Sequence, residues 1–381
     1  MCSIYYLAYI VFLLVIGTFR DLQAEEKVIS LCDDIDGNDC TCVYTTDRKT
    51  AFPRLIVECK LLSLENFSAN LPFPNDTNVI DLSYNSISRV DSVRTYTQLE
   101  ELWISYNKIN VLNNSPFSKF PNLQVLDLSH NIITQLEPNV FKQLSSLTQL
   151  DLGFNKLTTL PDGLMSPLVR LRELNLEYNN LGAFLSKYDN IFSSSLGLTA
   201  GITSLNLNKL ELKSIKNDFF GDTGFLKELH LQDNLFREVP NVPSSVTHFD
   251  FSGNNVTVLD VRHLDYNSFK VVKLNRLRNL REVQNYAFYN MPDLEELYMD
   301  NCPKLRSLDS IVFGVVDPGE VILLRKFSLA RSGIQSFNNT FFNLFKRIDY
   351  INLQNNPFAC DCSILWLQLL NGSFHKPENM R

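Results

Sequence analysis

Apolar residues recur along this chain in a fixed phase. From residue 77 onward the pattern LxxLxLxxNxL returns at intervals of mostly 22 to 25 residues, most clearly as LEELWISYNKI from Leu99, LQVLDLSHNII from Leu123, LTQLDLGFNKL from Leu147, LRELNLEYNNL from Leu171 and LKELHLQDNLF from Leu226. Weaker copies start at Thr77, Ile202, Val246, Phe269, Leu294, Leu324 and Ile348, making twelve units over 77–359. Inside each unit the period of two in LxL, as at Leu126/Leu128 and Leu174/Leu176, predicts a short strand with one buried face. A second apolar column follows about thirteen residues after each start, at Val90, Leu112, Leu136, Leu160, Phe184, Ile215, Val239, Leu259 and Phe337. A third, about eighteen residues in, holds Phe117, Phe141, Phe220 and Phe342. Such a unit has apolar side chains on every wall of one coil and cannot hide them alone. Neighbouring coils must therefore stack into one continuous core, with the strands parallel along one side.

The asparagine of the pattern enters a nearly dry bend, where an amide is costly unless all its groups are paired. Asn85, Asn107, Asn131, Asn155, Asn179, Asn234, Asn254 and Asn356 hold this place, and their amides are expected to bond the turning backbone of their own and the adjacent coil. The column lapses at Leu210, Leu277, Cys302 and Ser332, and the units from Phe269 and Leu294 carry one extra residue before Leu280 and Leu305. About seven residues are inserted before Ile202 and about six before Leu324. With no room inside the coil, these insertions are expected to emerge as loops.

Composition narrows the compartment. Ile4–Phe19 is apolar but short for a membrane span and is followed by Arg20 and a small-residue cut after Ala24, so 1–24 reads as a signal peptide, with a short signal anchor as the alternative. No later apolar run of that kind follows, and no membrane span is expected in the mature chain. Cysteines gather at the ends of the array, Cys32, Cys40, Cys42 and Cys59 in front and Cys360 and Cys362 behind, as suits an oxidising compartment. Acceptor triplets for N-glycosylation start at Asn66, Asn75, Asn113, Asn255, Asn338 and Asn371. A formal net charge of −7, with no basic block, argues against a nucleic-acid partner.

Twelve copies in phase resemble the typical extracellular class of leucine-rich repeat found in Toll-type receptors, Slit-like ectodomains and small leucine-rich proteoglycans. The resemblance implies an α/β repeat fold, a right-handed leucine-rich-repeat solenoid: a curved rod with a parallel concave sheet and a disulfide-capped N-terminus. CDDIDGNDCTC and VEC, within 25–76, resemble the four-cysteine N-terminal cap, and that family's connectivity implies Cys32–Cys42 and Cys40–Cys59, although four cysteines alone allow three pairings. NPFACDCSILWLQLL resembles the opening of a C-terminal cap, partial over 360–381, with Trp366 on a helix covering the last coil. The two cysteines that usually follow are missing, and Cys360 and Cys362 are too close to pair comfortably. Either the chain is a truncated relative, or these thiols bond another chain in a homo- or heterodimer.

No nucleophile elbow, phosphate loop, metal-helix motif or four-ligand spacing occurs, so an enzyme is not expected, nor a cofactor or metal. The search for a site falls on the concave face, where Tyr84, Tyr106, His130, Phe154 and Tyr178 repeat eight residues into their units with Trp103 nearby. Rings give large contact area for little ordering entropy, yet the same column serves equally well as a stack that shields the sheet. Charge on this face shifts from Glu100, Glu101, Asp127, Asp151, Glu173 and Glu177 to Lys270, Lys273, Arg276, Arg325, Lys326 and Arg331, interrupted by Glu295, Glu296 and Asp300. His130, His230 and His248 are dispersed, and the lone Cys302 reads as structural. The expected function is secreted recognition of an extracellular protein or glycan, in innate immunity or receptor modulation. The alternatives are a matrix or adhesion component, or an ectodomain fragment of a membrane receptor.

Overall fold

The computed structural model describes residues 27–28, 40–46, 53–67, 73–90, 94–113, 115–192, 196–221, 223–260, 264, 268–309, 311–314, 323–359 and 362–370. Residues 1–24, where the signal peptide is expected, Cys32, much of the insertion before Leu324, Cys360 and Asn371 lie outside them.

Leucines spaced by two make three-residue strands whose middle residue is buried. Glu101–Trp103, Val125–Asp127, Gln149–Asp151 and Glu173–Asn175 are typical, with Leu102, Leu126, Leu150 and Leu174 facing the core. From Thr77–Asp81 to Tyr350–Asn352, twelve such strands pair in parallel with strict registry, and together they bound eleven coils. The middle residues form one buried column, running through Leu205, Leu229, Phe249, Val272, Leu297 and Phe327 to Ile351. At the front, Pro53–Glu58 pairs in parallel with Thr77–Asp81 and antiparallel with Thr41–Thr46, which turns the solenoid into its cap. A disulfide joins Cys40 to Cys59 there. Cys42 is also disulfide-bonded.

The other apolar columns close the coils. Val90, Leu112, Leu136 and Leu259 sit in two-residue flank strands that pair with neighbours, and all are buried. Phe117, Phe141 and Phe220 are buried as well. Three positions depart from the expected pattern. Phe184 falls in a four-residue helix, Gly182–Leu185, where Leu185 takes the buried place and Phe184 is half-buried against Tyr188; Ile215 is also half-buried. In the last coils Phe341 rather than Phe342 is buried, because a 3₁₀ turn, Asn339–Phe341, leads into the helix Phe342–Phe345 and rotates the column by one residue. Phe342 meets Trp366 edge-on, and the Trp366 indole donates to the Phe337 carbonyl (3.3 Å), which fixes the 3₁₀ helix Cys362–Leu369 over the last coil.

The described residues of the insertion before Ile202, 185–192 and 196–201, lie against the stack rather than apart from it. Ile191, Leu196 and Leu198 are buried, Met165 N–H donates to Leu196 C=O (2.8 Å) and Ile191 N–H to Phe219 C=O (3.0 Å). The extra length carries its own apolar residues, so lying against the stack removes more surface from water than projecting would.

The asparagines serve the bends. Asn155 Nδ2 donates to Leu128, Leu152 and Gly153 carbonyls, each at 3.0 Å, while its Oδ1 accepts from Ile133 N–H (3.0 Å) in the preceding coil. Asn131 repeats the set toward Ile104, Leu128, Ser129 and Ile109. Two of the lapses follow from this division of labour. The bend with an extra residue closes on itself, Leu280 N–H donating to Leu277 C=O (3.0 Å) and Leu305 N–H to Cys302 C=O (3.1 Å). The next coil is thereby relieved of supplying an amide acceptor to that N–H; Cys302 stands there in one case and Ser332 in the other, where the Ser332 hydroxyl accepts from Cys302 N–H (3.0 Å) and donates to Met299 C=O (3.2 Å). The Cys302 thiol, buried, donates to Leu274 C=O (3.6 Å), and burial pushes its pKa up to about 12, which leaves it unreactive.

Candidate functional site

The five rings stand at the bend, one residue before each asparagine, rather than on the strands. Every one adopts the left-handed region, with φ of 59, 53, 50, 52 and 52° for Tyr84, Tyr106, His130, Phe154 and Tyr178. Side-chain-bearing residues seldom sit there. Each is held by its N–H, which donates to a carbonyl of the next coil: Tyr84 to Ser105 (3.0 Å), Tyr106 to Ser129 (3.2 Å), His130 to Gly153 (3.0 Å), Phe154 to Glu177 (2.8 Å) and Tyr178 to Asn208 (3.0 Å). Identical backbone at every step makes the rings parallel. Successive centroids are 4.3, 4.0, 4.0 and 4.2 Å apart, with interplanar angles of 9 to 12°. Tyr84, Tyr106 and Tyr178 remain 49, 41 and 44% exposed. The stack is thus continuous and still open to solvent along its outer edge.

Beyond Tyr178 the same left-handed column turns polar through Lys209, Asp233, Gly253, Arg276, Asn301 and Arg331. Arg276 clasps Asp233 with both carboxylate oxygens in reach (3.0 and 3.1 Å), passing over Gly253, where any Cβ would overlap the carboxylate.

On the strands themselves lies an open groove of about 270 Å³, walled by Trp103 at one end and His230 at the other, with Asp127, Asp151 and Glu173 between. Trp103 is the one ring of the six that lines it; its indole donates to Glu101 Oε2 (3.1 Å). The aspartates here have a structural duty that the charge pattern hides. Asp127 Oδ1 accepts from Ser129 N–H (2.9 Å) and Asp151 Oδ1 from Gly153 N–H (2.8 Å), just as Asn175 and Asn206 accept from Glu177 and Asn208, so each ends its strand in an Asx turn. Part of the charge gradient is answered within the fold: Arg54 pairs with Glu100 and Glu101 (3.0 and 2.8 Å), Lys270 with Glu295 (3.4 Å) and Lys326 with Glu296 (2.7 Å). Arg54, outside the repeats, was not legible as part of this face.

Burial is the main cause of raising the Asp151 carboxyl to about pH 6, opposed by Asn175 and the Gly153 N–H and reinforced by Asp127 and Glu177. Burial likewise lowers the pKa of His230, against the pull of Asp250 and Glu228. Because the folded pKa of Asp151 exceeds the ordinary carboxylate value of about 4, ionisation favours the unfolded chain, and stability falls as pH rises from about 4 to 6 and levels off above. Asp151→Asn keeps the acceptor for Gly153 N–H but loses the bond from Asn175 Nδ2, so its effect on the unfolding free energy should be more favourable at pH 7.5 than at pH 4 by about 2 kcal/mol. Urea titrations at the two pH values read this, and an equal effect at both would contradict it.

The remaining predicted sites are scattered. His130 is stacked between Tyr106 and Phe154, and His248 Nδ1 is 3.0 Å from Thr247 Oγ1. Asn66, Asn75, Asn113, Asn255 and Asn338 are all exposed, and none lies on a strand of the large sheet. Among the described residues no group of three His, Cys, Asp or Glu is placed to hold a metal, and no helix is long and apolar enough to cross a membrane.

Comparison with known proteins agrees with the coil geometry. A family model of the leucine rich repeat matches residues 97–156 and 121–181, and a model of the BspA type leucine rich repeat region matches 188–314 and 243–359. Tsukushi from Gallus gallus is 27% identical over 341 residues, which is 83% of this chain and 81% of that protein. Toll-like receptor 2 type-1 from Gallus gallus is 25% identical over 194 residues, 48% of this chain but 23% of the receptor. Among solved structures, a leucine-rich-repeat protein of Leptospira interrogans superposes with a TM-score of 0.51 at 17% identity, covering 83% of this chain and 94% of its own. The functional domain of InlJ from Listeria monocytogenes gives 0.51 at 19% identity, covering 79% and 63%. Toll, in its Drosophila complex with Spatzle, gives 0.51 at 18%, covering 82% and 53%. These likenesses are of fold.

Proposed function

The chain belongs to the leucine-rich-repeat family, and from that premise we propose that it is a secreted, non-enzymatic recognition protein that docks an extracellular protein or glycan on the concave side of its sheet, in innate immunity or receptor modulation. In this reading 1–24 is a removable leader, 25–76 and 360–381 are caps, and 77–359 is the binding array. The observation that carries it is the ring column: five parallel rings stand at the bends with an edge open to solvent, and a separate groove lined by Trp103 lies on the strands themselves. Rigid rings lose little entropy on contact, and pre-stacking removes most of what remains. Support for export comes from the Cys40–Cys59 disulfide, which persists in oxidising compartments, and from acceptor asparagines that leave the sheet face clear. The relation to Tsukushi, spread over most of both chains, is consistent with a binding role.

A screen of the secreted protein against a panel of extracellular proteins and glycans supplies the partner. Tyr106→Ala, Phe154→Ala and Tyr178→Ala combined should then weaken binding by on the order of 100-fold with the circular dichroism unchanged. Full affinity in the folded triple variant would remove the ring column from the interface.

A further inference from the structure

We propose that Asn338 carries an N-linked glycan whose first sugars lie in a trough running back across two coils, so that the sugar forms part of the folded surface. This rests on the export reading above but not on the concave face. Three observations carry it. Asn338 completes an acceptor triplet with Asn339 and Thr340, is exposed, and its Oδ1 accepts from the Thr340 N–H (3.0 Å), which fixes the side chain at the start of a turn. The same asparagine lines an open trough of about 660 Å³ that passes Ser307–Asp309 and reaches Arg281–Asn285. And the lining has the two-sided chemistry of a pyranose: Val283 and Leu308 are buried along the floor, while Arg281, Gln284, Asn285 and Ser307 offer donors and acceptors at the walls.

The trough exists because the flank ladder stops. Glu282–Val283 pairs with Val258–Leu259 on one side, and among the described residues no flank strand pairs with it on the other, where Ser307–Asp309 stands instead. The outer edge of that strand faces the space Asn338 overlooks. Contacts to a sugar are individually weak. Covalent attachment raises its local concentration to the millimolar range, so weak contacts suffice to fill the trough.

The test uses the full chain secreted from glycosylating cells. Glycopeptide mass spectrometry should find Asn338 occupied, and amidase digestion of the native protein should release its glycan roughly tenfold more slowly than that on Asn66, a difference of about 1.4 kcal/mol. Hydrogen exchange should show 281–285 and 307–309 protected in the glycoprotein and faster in Thr340→Ala, which abolishes the acceptor triplet while keeping Asn338 and its backbone bond. Asn285→Ala with Ser307→Ala should bring the release rate up to that of Asn66. An empty Asn338 beside other occupied acceptors overturns the proposal, as does an occupied Asn338 released at the Asn66 rate with unchanged exchange in Thr340→Ala. A protein secreted with no glycan anywhere also overturns it, leaving the disulfide-based case for export standing. A chain retained inside the cell overturns the export reading and this proposal with it.

Discussion

Asn155→Ala is expected to cost about 2 to 3 kcal/mol of unfolding free energy, more than a leucine-to-valine change in the same coil. The amide is buried and satisfies backbone groups of two coils at once: it receives the Ile133 N–H and gives to the Leu128, Leu152 and Gly153 carbonyls. Alanine leaves the Ile133 N–H without its acceptor in a dry bend, at about 1 to 3 kcal/mol, while the three carbonyls each lose one of two donors, keeping those of Asn131, Asn179 and His130 N–H. Since each coil is sheltered only by its neighbours, the damage should be felt at the junction of the third and fourth units before it is felt elsewhere. Urea unfolding together with hydrogen exchange at Ile133 measures it. A loss under 1 kcal/mol with the Ile133 amide still protected would show that the spine does not depend on the side chain.

The same residue illustrates how much of the fold could be read from the chain. The leucine columns and the asparagine column are local, periodic and redundant. Burial at Leu126, Leu150 and Leu174 and the bonding of Asn131 and Asn155 follow from spacing alone. What escaped depended on relations between coils. Cys302 and Ser332 look like random lapses until Leu280 and Leu305 are seen to close their own bends, which shifts the consequence one coil downstream. Length alone places the insertion before Ile202 outside the stack, whereas its apolar residues Ile191, Leu196 and Leu198 are buried. A one-residue rotation exchanged Phe341 for Phe342 in the core, and a local 3₁₀ turn of that kind leaves little trace in a periodic pattern.

The candidate site was legible as a column and not as a shape. The common place of Tyr84, Tyr106, His130, Phe154 and Tyr178, one residue before the asparagine of each unit, shows that they align. That they stack at about 4 Å in the left-handed region, separate from the groove that Trp103 lines, depends on the backbone of the bend. The charge gradient was legible in sign and misleading in meaning. Lys270, Lys326 and Arg276 are answered by Glu295, Glu296 and Asp233, and Asp127 and Asp151 each give one oxygen to a strand-ending turn. The part of the face left for a partner is therefore the ring edge and the groove floor, not the whole electrostatic gradient.

Placing a bulky group on that floor asks the question most directly. Asp127→Asn completes an acceptor triplet with Leu128 and Ser129 at the bottom of the groove, and an amide fits the position because Asn175 and Asn206 occupy the same column two and three units on. With a glycan on residue 127, binding of the screened partner should be abolished. Amidase treatment, which converts the glycosylated amide back to aspartate, should restore it to the level of similarly treated wild-type protein. Undiminished binding by protein whose residue 127 is shown by mass spectrometry to carry the glycan would contradict docking on the concave face.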